Sequence, residues 1–415
     1  MTAYAGLDVG TTSSKAVVYD PDGRVLGGGR AATTWQTTAD GTEMSAEALW
    51  RSASDALSAA AEDAGVAVRA VGVTCMGESG VLVDERERPL APVIAWHDDR
   101  DGEEVADLAA TIGAEQFGAV AGKPLRGQFS LTKHRWLSSH APATRDATTR
   151  FDVGGWVVRR LGGDAVIELS LAGRTGWLDV AAGDWWDAAL QWSGARRELM
   201  PPLVAAGVPV GVVGADAVSP LLRGAVLTLA GHDHQASALG ARATSQGCEL
   251  DSSGTAEALV RTIAPIPAPP DVARLALTGI TTDPSVEPGH WSLLGGTEGG
   301  LAQLRTLQRL GADVAELDAA AEAGTGPGTQ WRSVVATAAD EALALHRAMD
   351  DVVGPATRVV VTGGWRHSSE VMRAKRSRFG PLEVSSVEEA GALGAATLAA
   401  RACGELGVDE HLGLP

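Results

Sequence analysis

The chain opens on a strand, a tight turn rich in hydrogen-bond donors and a second strand, and past its midpoint it does so again. Ala3–Asp8 has the pattern of a short buried strand, Gly10-Thr11-Thr12 forms the turn, and Ser14–Tyr19 is the second strand. Leu250-Asp251-Ser252-Ser253-Gly254-Thr255 followed by Glu257-Ala258-Leu259-Val260 echoes this arrangement. A chain that starts two halves with one hairpin folds as two lobes, and the division is expected near Ala241–Gly247. The expected domains are residues 1–243 and 244–415, and 415 residues leave room for both. The opening meander also excludes two nucleotide-binding patterns. No GxGxxG joins a strand to a helix, and no GxxxxGK[ST] occurs.

The rest of the chain alternates strands and helices. Asp20-Pro21-Asp22-Gly23 turns into a third strand, and Ser45–Ala64 has helical spacing in Leu49, Ala53, Ala56, Leu57, Ala60 and Ala64. Val68–Thr74, Gly80–Val83, Val226–Ala230 and Arg358–Thr362 read as strands, and Gln235–Arg242 as a short helix. Pro265–Pro270 reads as a stiff connector. Ser386 with Glu389 three residues on predicts a capping box for the last helix. The tryptophans between residues 130 and 192 read as packing of an inserted segment.

Composition narrows the function. Lys+Arg is 34 against Asp+Glu 52, a formal charge of −18, which argues against a nucleic-acid or anionic-lipid partner. A phosphate ligand would then be held by backbone N–H groups and a metal. Three distant cysteines indicate neither a disulfide framework nor a zinc knuckle. With no leader pattern and no run of about 18 apolar residues, a cytoplasmic protein is expected. The abundant Ala and Gly read as genome composition and carry no functional inference.

Several loops concentrate chemistry. Asp8 and the first turn could hold an anion and a Mg²⁺ together, because Mg²⁺ takes few carboxylates and shares phosphate oxygens. Asp233, in Gly231-His232-Asp233-His234-Gln235, follows a buried strand and opens a helix. There it is either an N-cap or a base that takes a hydroxyl proton. With His232 and His234 it could also ligate a metal, although no second ligand cluster at zinc spacing accompanies it. Glu78 and the run Trp96-His97-Asp98-Asp99-Arg100 offer acids and an aromatic face suited to a polyol.

Taken in order, six stretches resemble the FGGY carbohydrate kinase family. They are Leu7–Lys15, Trp96–Arg100, Phe129–Trp136, Gly231–Gln235, Asp251–Thr255, and Thr362-Gly363-Gly364 with the later Glu388…Ala392-Leu393-Gly394-Ala395-Ala396. The resemblance implies an α/β, two-lobed actin-like ATPase (ribonuclease H-like) fold, each lobe a mixed sheet flanked by helices. It implies ATP-dependent phosphorylation of a ketose or polyol, with ATP and Mg²⁺ as cofactors. Carried over residue by residue, Asp233 is the general base and, with Asp8, the metal partner. Thr11, Thr12, Lys15, Gly254 and Thr255 hold phosphates, and Gly363, Gly364 and Ser368 the nucleotide. Glu78, Trp96, Asp98 and Arg100 face the sugar. The branches closest in feel are those of L-fuculokinase and xylulokinase. The expected partners are a small sugar and ATP, without nucleic acid or membrane, and homodimer assembly stays open. Two alternatives are a catalytically weak sugar-binding or regulatory paralogue and an ATPase or phosphatase of the same superfold without a sugar. The chain departs from the family in two places: it is short between Gly300 and Trp331, and bulky Trp365-Arg366-His367 follow the Gly-Gly pair. Both departures lie in the nucleotide lobe and bear on adenine affinity.

Overall fold

A computed structural model describes residues 2–215 and 218–413. Positions 1, 414 and 415, at the ends of the expected domain ranges, lie outside the described residues. Two mixed sheets form the frame. In the first, strands run in the order Val226–His232, Ala70–Cys75, Tyr4–Val9, Ser13–Tyr19, Val25–Ala32. The first three are mutually parallel and the last two antiparallel to their neighbours. In the second, the order is Thr281–Pro284, Trp291–Thr297, Glu257–Ile263, Cys248–Ser253, Arg358–Thr362, Glu383–Val384. The two hairpins occupy equivalent places. Tyr4–Val9 pairs antiparallel with Ser13–Tyr19 and parallel with Ala70–Cys75, as Cys248–Ser253 does with Glu257–Ile263 and Arg358–Thr362. The turn ends of both sheets therefore point the same donor-rich loops toward a shared cleft.

The expected two-lobed α/β architecture is present. The last helix, Ala390–Ala402, nevertheless packs on the first sheet although it belongs to the second range in sequence. Its seat depends on missing side chains. A Cβ on Gly6 would lie 1.8 Å from the Ala392 carbonyl oxygen, and one on Gly72 2.0 Å from that of Ala395. Likewise Gly27 and Gly29 leave no room between their strand and the helix Ala46–Ala64. The Ala and Gly content thus has a structural use that composition alone did not reveal: it lets helix backbone lie directly on sheet backbone.

Ser45 caps the helix Ala46–Ala64, accepting a bond from the Ala48 N–H. The capping box expected at Ser386 does not form. The last helix starts at Ala390, and the Glu389 carboxylate pairs with Lys15 at 2.9 Å instead of reaching back to Ser386. The stiff connector ends earlier than expected, because Pro269 and Pro270 form the first turn of the helix Pro269–Leu277, where a missing N–H costs nothing. The short stretch before Trp331 is filled by the helices Gly299–Leu310 and Val314–Glu322. Trp365 is buried against Trp331, ring centroids 5.9 Å apart, so the bulky residue after the Gly-Gly pair belongs to the core of this helical layer. Most tryptophans of the inserted segment are core: Trp156 and Trp177 are fully buried. No helix among the described residues is long and apolar enough to cross a membrane.

Candidate active site

A cleft of about 430 Å³ opens between the lobes. From the first lobe it is lined by Thr11, Glu78, Trp96, Gln128, Arg174 and Asp233, and from the second by Ala256, Glu257, Thr297 and Glu298. Asp8 stands at the end of the central strand of the first sheet, and Asp233 starts the helix Asp233–Gly240 after an edge strand of that sheet. Burial raises the Asp8 carboxyl first, and the nearby Asp233 carboxylate raises it further. Burial likewise holds Asp233 up, at about 7, with Glu78 adding to it and the His234 N–H and Arg174 opposing it. Asp8 Oδ1 is buried without a hydrogen-bond partner. Two repelling carboxylates with an unsatisfied buried oxygen suit a divalent cation. A three-ligand histidine site does not accompany them. No group of three or more His, Cys, Asp or Glu side chains able to hold a metal occurs among the described residues. Burial first, and then the Arg174 charge, pushes the His232 and His234 imidazoles below their usual range, and His232 Nε2 lies 3.3 Å from Asp233 Oδ1.

The first turn is braced. Thr11 accepts a bond from the Trp96 indole N–H through its hydroxyl (2.9 Å) and one from Trp35 through its carbonyl (2.7 Å). Trp96 therefore lines the cleft while fixing a phosphate-turn candidate. Thr12 is exposed at the turn, and Lys15 is held by Glu389. At the second turn, Thr255 is exposed at the tip, and Gly254 is backed by the start of the helix Gly299–Leu310. A Cβ on Gly300 would come within 1.9 Å of the Gly254 carbonyl oxygen. Beneath this hairpin Lys375 is buried between Asp251 and Glu257, bonded to both.

Four of the expected residues have structural partners of their own. Asp98 accepts bonds from the Thr42 N–H and from Arg100, and Arg100 also pairs with Glu43 at 2.9 Å. Neither lines the cleft; they lock the loop that carries Trp96, which Lys133 secures from below through the Asp98 carbonyl (2.8 Å). Ser368 is fully buried as the N-cap of the helix Ser369–Phe379 and donates to Asp318 at 2.8 Å. Gly363 adopts a φ of +84° and backs onto the Ser253 carbonyl, so its role is to let the two strand ends meet. Gly364 faces open space.

Glu78 stands at the centre of the first-lobe wall of the cleft with a φ of +66°, which a non-glycine residue adopts only under constraint. Its Oε1 accepts from Arg174 Nε (2.9 Å) and from Gln128 (2.8 Å), and Oε2 has no partner among the described residues. Arg174 continues to Thr281 (2.7 Å) and Asp283 (3.2 Å) in the second lobe, and buried Lys123 bonds the other Asp283 oxygen at 2.6 Å. Sequence reasoning missed Gln128, Arg174 and the Thr297–Gly300 corner. Gln128 directly precedes the Phe129–Trp136 motif, and Gly299-Gly300 follow a strand, so two of the three carried a readable signal. Arg174 carried none.

This two-lobed plan with the cleft between duplicated hairpins is the actin-like ATPase fold. Residues 3–240 match the FGGY family of carbohydrate kinases, N-terminal domain. The chain belongs to the FGGY family of carbohydrate kinases. It is similar to a glycerol kinase of Methylorubrum extorquens (strain PA1), 31% identical over 224 residues covering 50% of this chain and 45% of that protein. It is also similar to the L-fuculokinase of Salmonella typhi, 29% identical over 263 residues covering 61% and 55%. The chain thus spans about half the length of the curated relatives it matches. Among solved structures, the xylulose kinase of Rhodospirillum rubrum superposes with a TM-score of 0.86 at 25% identity, covering 98% of this chain and 91% of that one. Plasmodium falciparum glycerol kinase with ADP gives 0.87 at 16% identity, covering 96% and 89%.

Proposed function

We propose that the chain transfers the γ-phosphoryl group of ATP to a hydroxyl of a sugar or polyol bound in the cleft. The observation that carries this reading is the convergence of Thr11, Asp233 and the Ala256–Ala258 end of the second hairpin on one cleft. The relatives named glycerol kinase, L-fuculokinase and xylulose kinase support it. In the proposed step the substrate hydroxyl oxygen bonds to the γ-phosphorus, and the bond to the β–γ bridging oxygen breaks. ADP leaves with that electron pair, and the hydroxyl proton passes to Asp233. A carboxyl near pH 7 is well matched to this exchange, since a base works best with a pKa near the operating pH. Glu78 Oε2 accepts a second substrate hydroxyl. Backbone N–H groups of the turns at Thr11-Thr12 and Gly254-Thr255 orient the phosphates. Asp8 and Asp233 would hold Mg²⁺, which when bound supplies neutralisation of phosphate charge. A cytoplasmic location, where ATP is abundant, fits this reading.

The test is ADP release with MgATP across a panel of ketoses, polyols and sugar acids, repeated with Asp233→Asn. Sugar-dependent release that falls about 10²–10⁴-fold in kcat in the variant is expected. ADP release independent of every sugar, or unchanged in the variant, would overturn the assignment.

A further inference from the structure

The charges of the sugar-side wall do not cancel, and the residue left over is Arg126. Glu78 and Asp283 are matched by Arg174 and Lys123 through the bonds described above. Arg126 also lines the cleft, and among the described residues it makes no hydrogen bond and no ion pair. Its guanidinium carbon lies 5.8 Å from the centre of the Phe129 ring, the same distance as that of Arg174, so two guanidinium groups share one aromatic anchor. Behind Glu78, buried Arg150 bonds the Ser130 hydroxyl (2.6 Å) and the Glu78 carbonyl (3.3 Å) and has the Asp152 carboxylate nearby as counter-charge, so it does not face the cleft as a free cation. The Glu78 charge reaches Arg126 through space, but its Oε1 is bonded to Arg174 and Gln128 and makes no bond to Arg126.

We propose that the acceptor is a polyhydroxy carboxylate, whose carboxylate pairs with Arg126 while its hydroxyls reach Glu78 Oε2 and Asp233. This rests on the kinase reading above and names its substrate class. A guanidinium fork matches a carboxylate in a bidentate pair. A phosphate ester brings about −1.5 to −2 charges, and the single unpaired guanidinium on this wall neutralises a carboxylate fully and a phosphate only in part. Gln128, with its amide N–H bonded to Glu78, keeps its carbonyl for a hydroxyl of the same ligand. Arg126 is exposed at the mouth of the cleft, so a neutral polyol leaves its donors to water, whereas an acid takes them up in a charge-assisted pair.

The experiment compares sugar acids with the neutral polyols and the sugar monophosphates of equal carbon number. ADP release and calorimetric binding are both measured, for the parent chain, Arg126→Gln and Arg126→Lys. The expected result is kcat/KM at least tenfold higher for the acid than for the matched polyol. Arg126→Gln raises KM for the acid at least tenfold, Arg126→Lys raises it less, and KM for MgATP moves less than twofold. Acids that bind in an Arg126-dependent way without ADP release would support the carboxylate site and refute the kinase reading. Polyols turned over as well as acids would overturn the carboxylate site and leave the kinase reading standing. Preference for the monophosphates, an Arg126→Gln effect on KM for MgATP alone, or no acid bound or turned over would each overturn the proposal as well.

Discussion

Gly6→Ala is a one-methyl change at the centre of the first sheet, and the structure predicts a large cost. The added Cβ would lie 1.8 Å from the Ala392 oxygen, 2.7 Å from its carbonyl carbon and 2.9 Å from the Ala396 nitrogen. All three are backbone atoms, so no rotamer change relieves the clash. Reaching even 3.0 Å from that oxygen requires the last helix to retreat by about 1.2 Å. That retreat opens the contact between Ala392, Ala396, Ala399 and Ala400 and the sheet residues Tyr4, Val17 and Ala70. Overpacking typically costs about 1–3 kcal/mol, and a rigid backbone obstacle puts this case at about 3. The helix start also moves: Glu389 pairs with Lys15, and a Cβ on Gly391 would already lie 2.9 Å from Asp8 Oδ2. Gly28→Ala is the control, since its Cβ meets only the Ala16 oxygen at 3.9 Å. Relief of glycine's backbone entropy makes that variant neutral or slightly stabilising. Urea denaturation followed by tryptophan fluorescence reads both. A Gly6→Ala chain as stable as Gly28→Ala would refute the argument that glycines seat this helix.

Three other expectations follow from the buried charges and the braced turn. The native carboxyls of Asp8 and Asp233 titrate near 7. The folded chain without metal therefore keeps protons that the unfolded chain has released from about pH 4 upward, and these groups lower its stability as pH rises from there to about 7. Added MgCl₂ should therefore raise the urea midpoint at pH 7.5 much more than at pH 5, and equal shifts would refute the two-carboxylate site. Lys375→Met strands Asp251 and Glu257 without their counter-charge, so destabilisation of about 3–5 kcal/mol is expected by the same denaturation assay. Trp96→Phe deletes the bond to the Thr11 hydroxyl, worth about 1 kcal/mol net, and should raise KM for MgATP about fivefold in steady-state kinetics.

What the sequence disclosed and what it hid divide along a physical line. Strands, the two hairpins and Asp233 at a helix start were legible because each is local: alternation, turn residues and an acid after an apolar run all sit within a dozen positions. The last helix was misjudged at its start because the partner that Glu389 takes, Lys15, is 374 positions away and outcompetes a local cap. Asp98 and Arg100 read as sugar contacts because acid and base types look alike whether they face a ligand or each other; only the Thr42 and Glu43 partners decide. The bond that the Ser368 hydroxyl gives Asp318 was hidden for the same reason, since its partner lies 50 positions earlier. The Arg174 bridge was invisible because its two acids, Glu78 and Asp283, come from different lobes. That bridge joins the first-lobe wall of the cleft to a strand of the second lobe through charge that burial makes costly to separate. A movement of the lobes therefore shifts Glu78, and the wall of the cleft that Glu78 forms is tied to the lobe that carries the second hairpin.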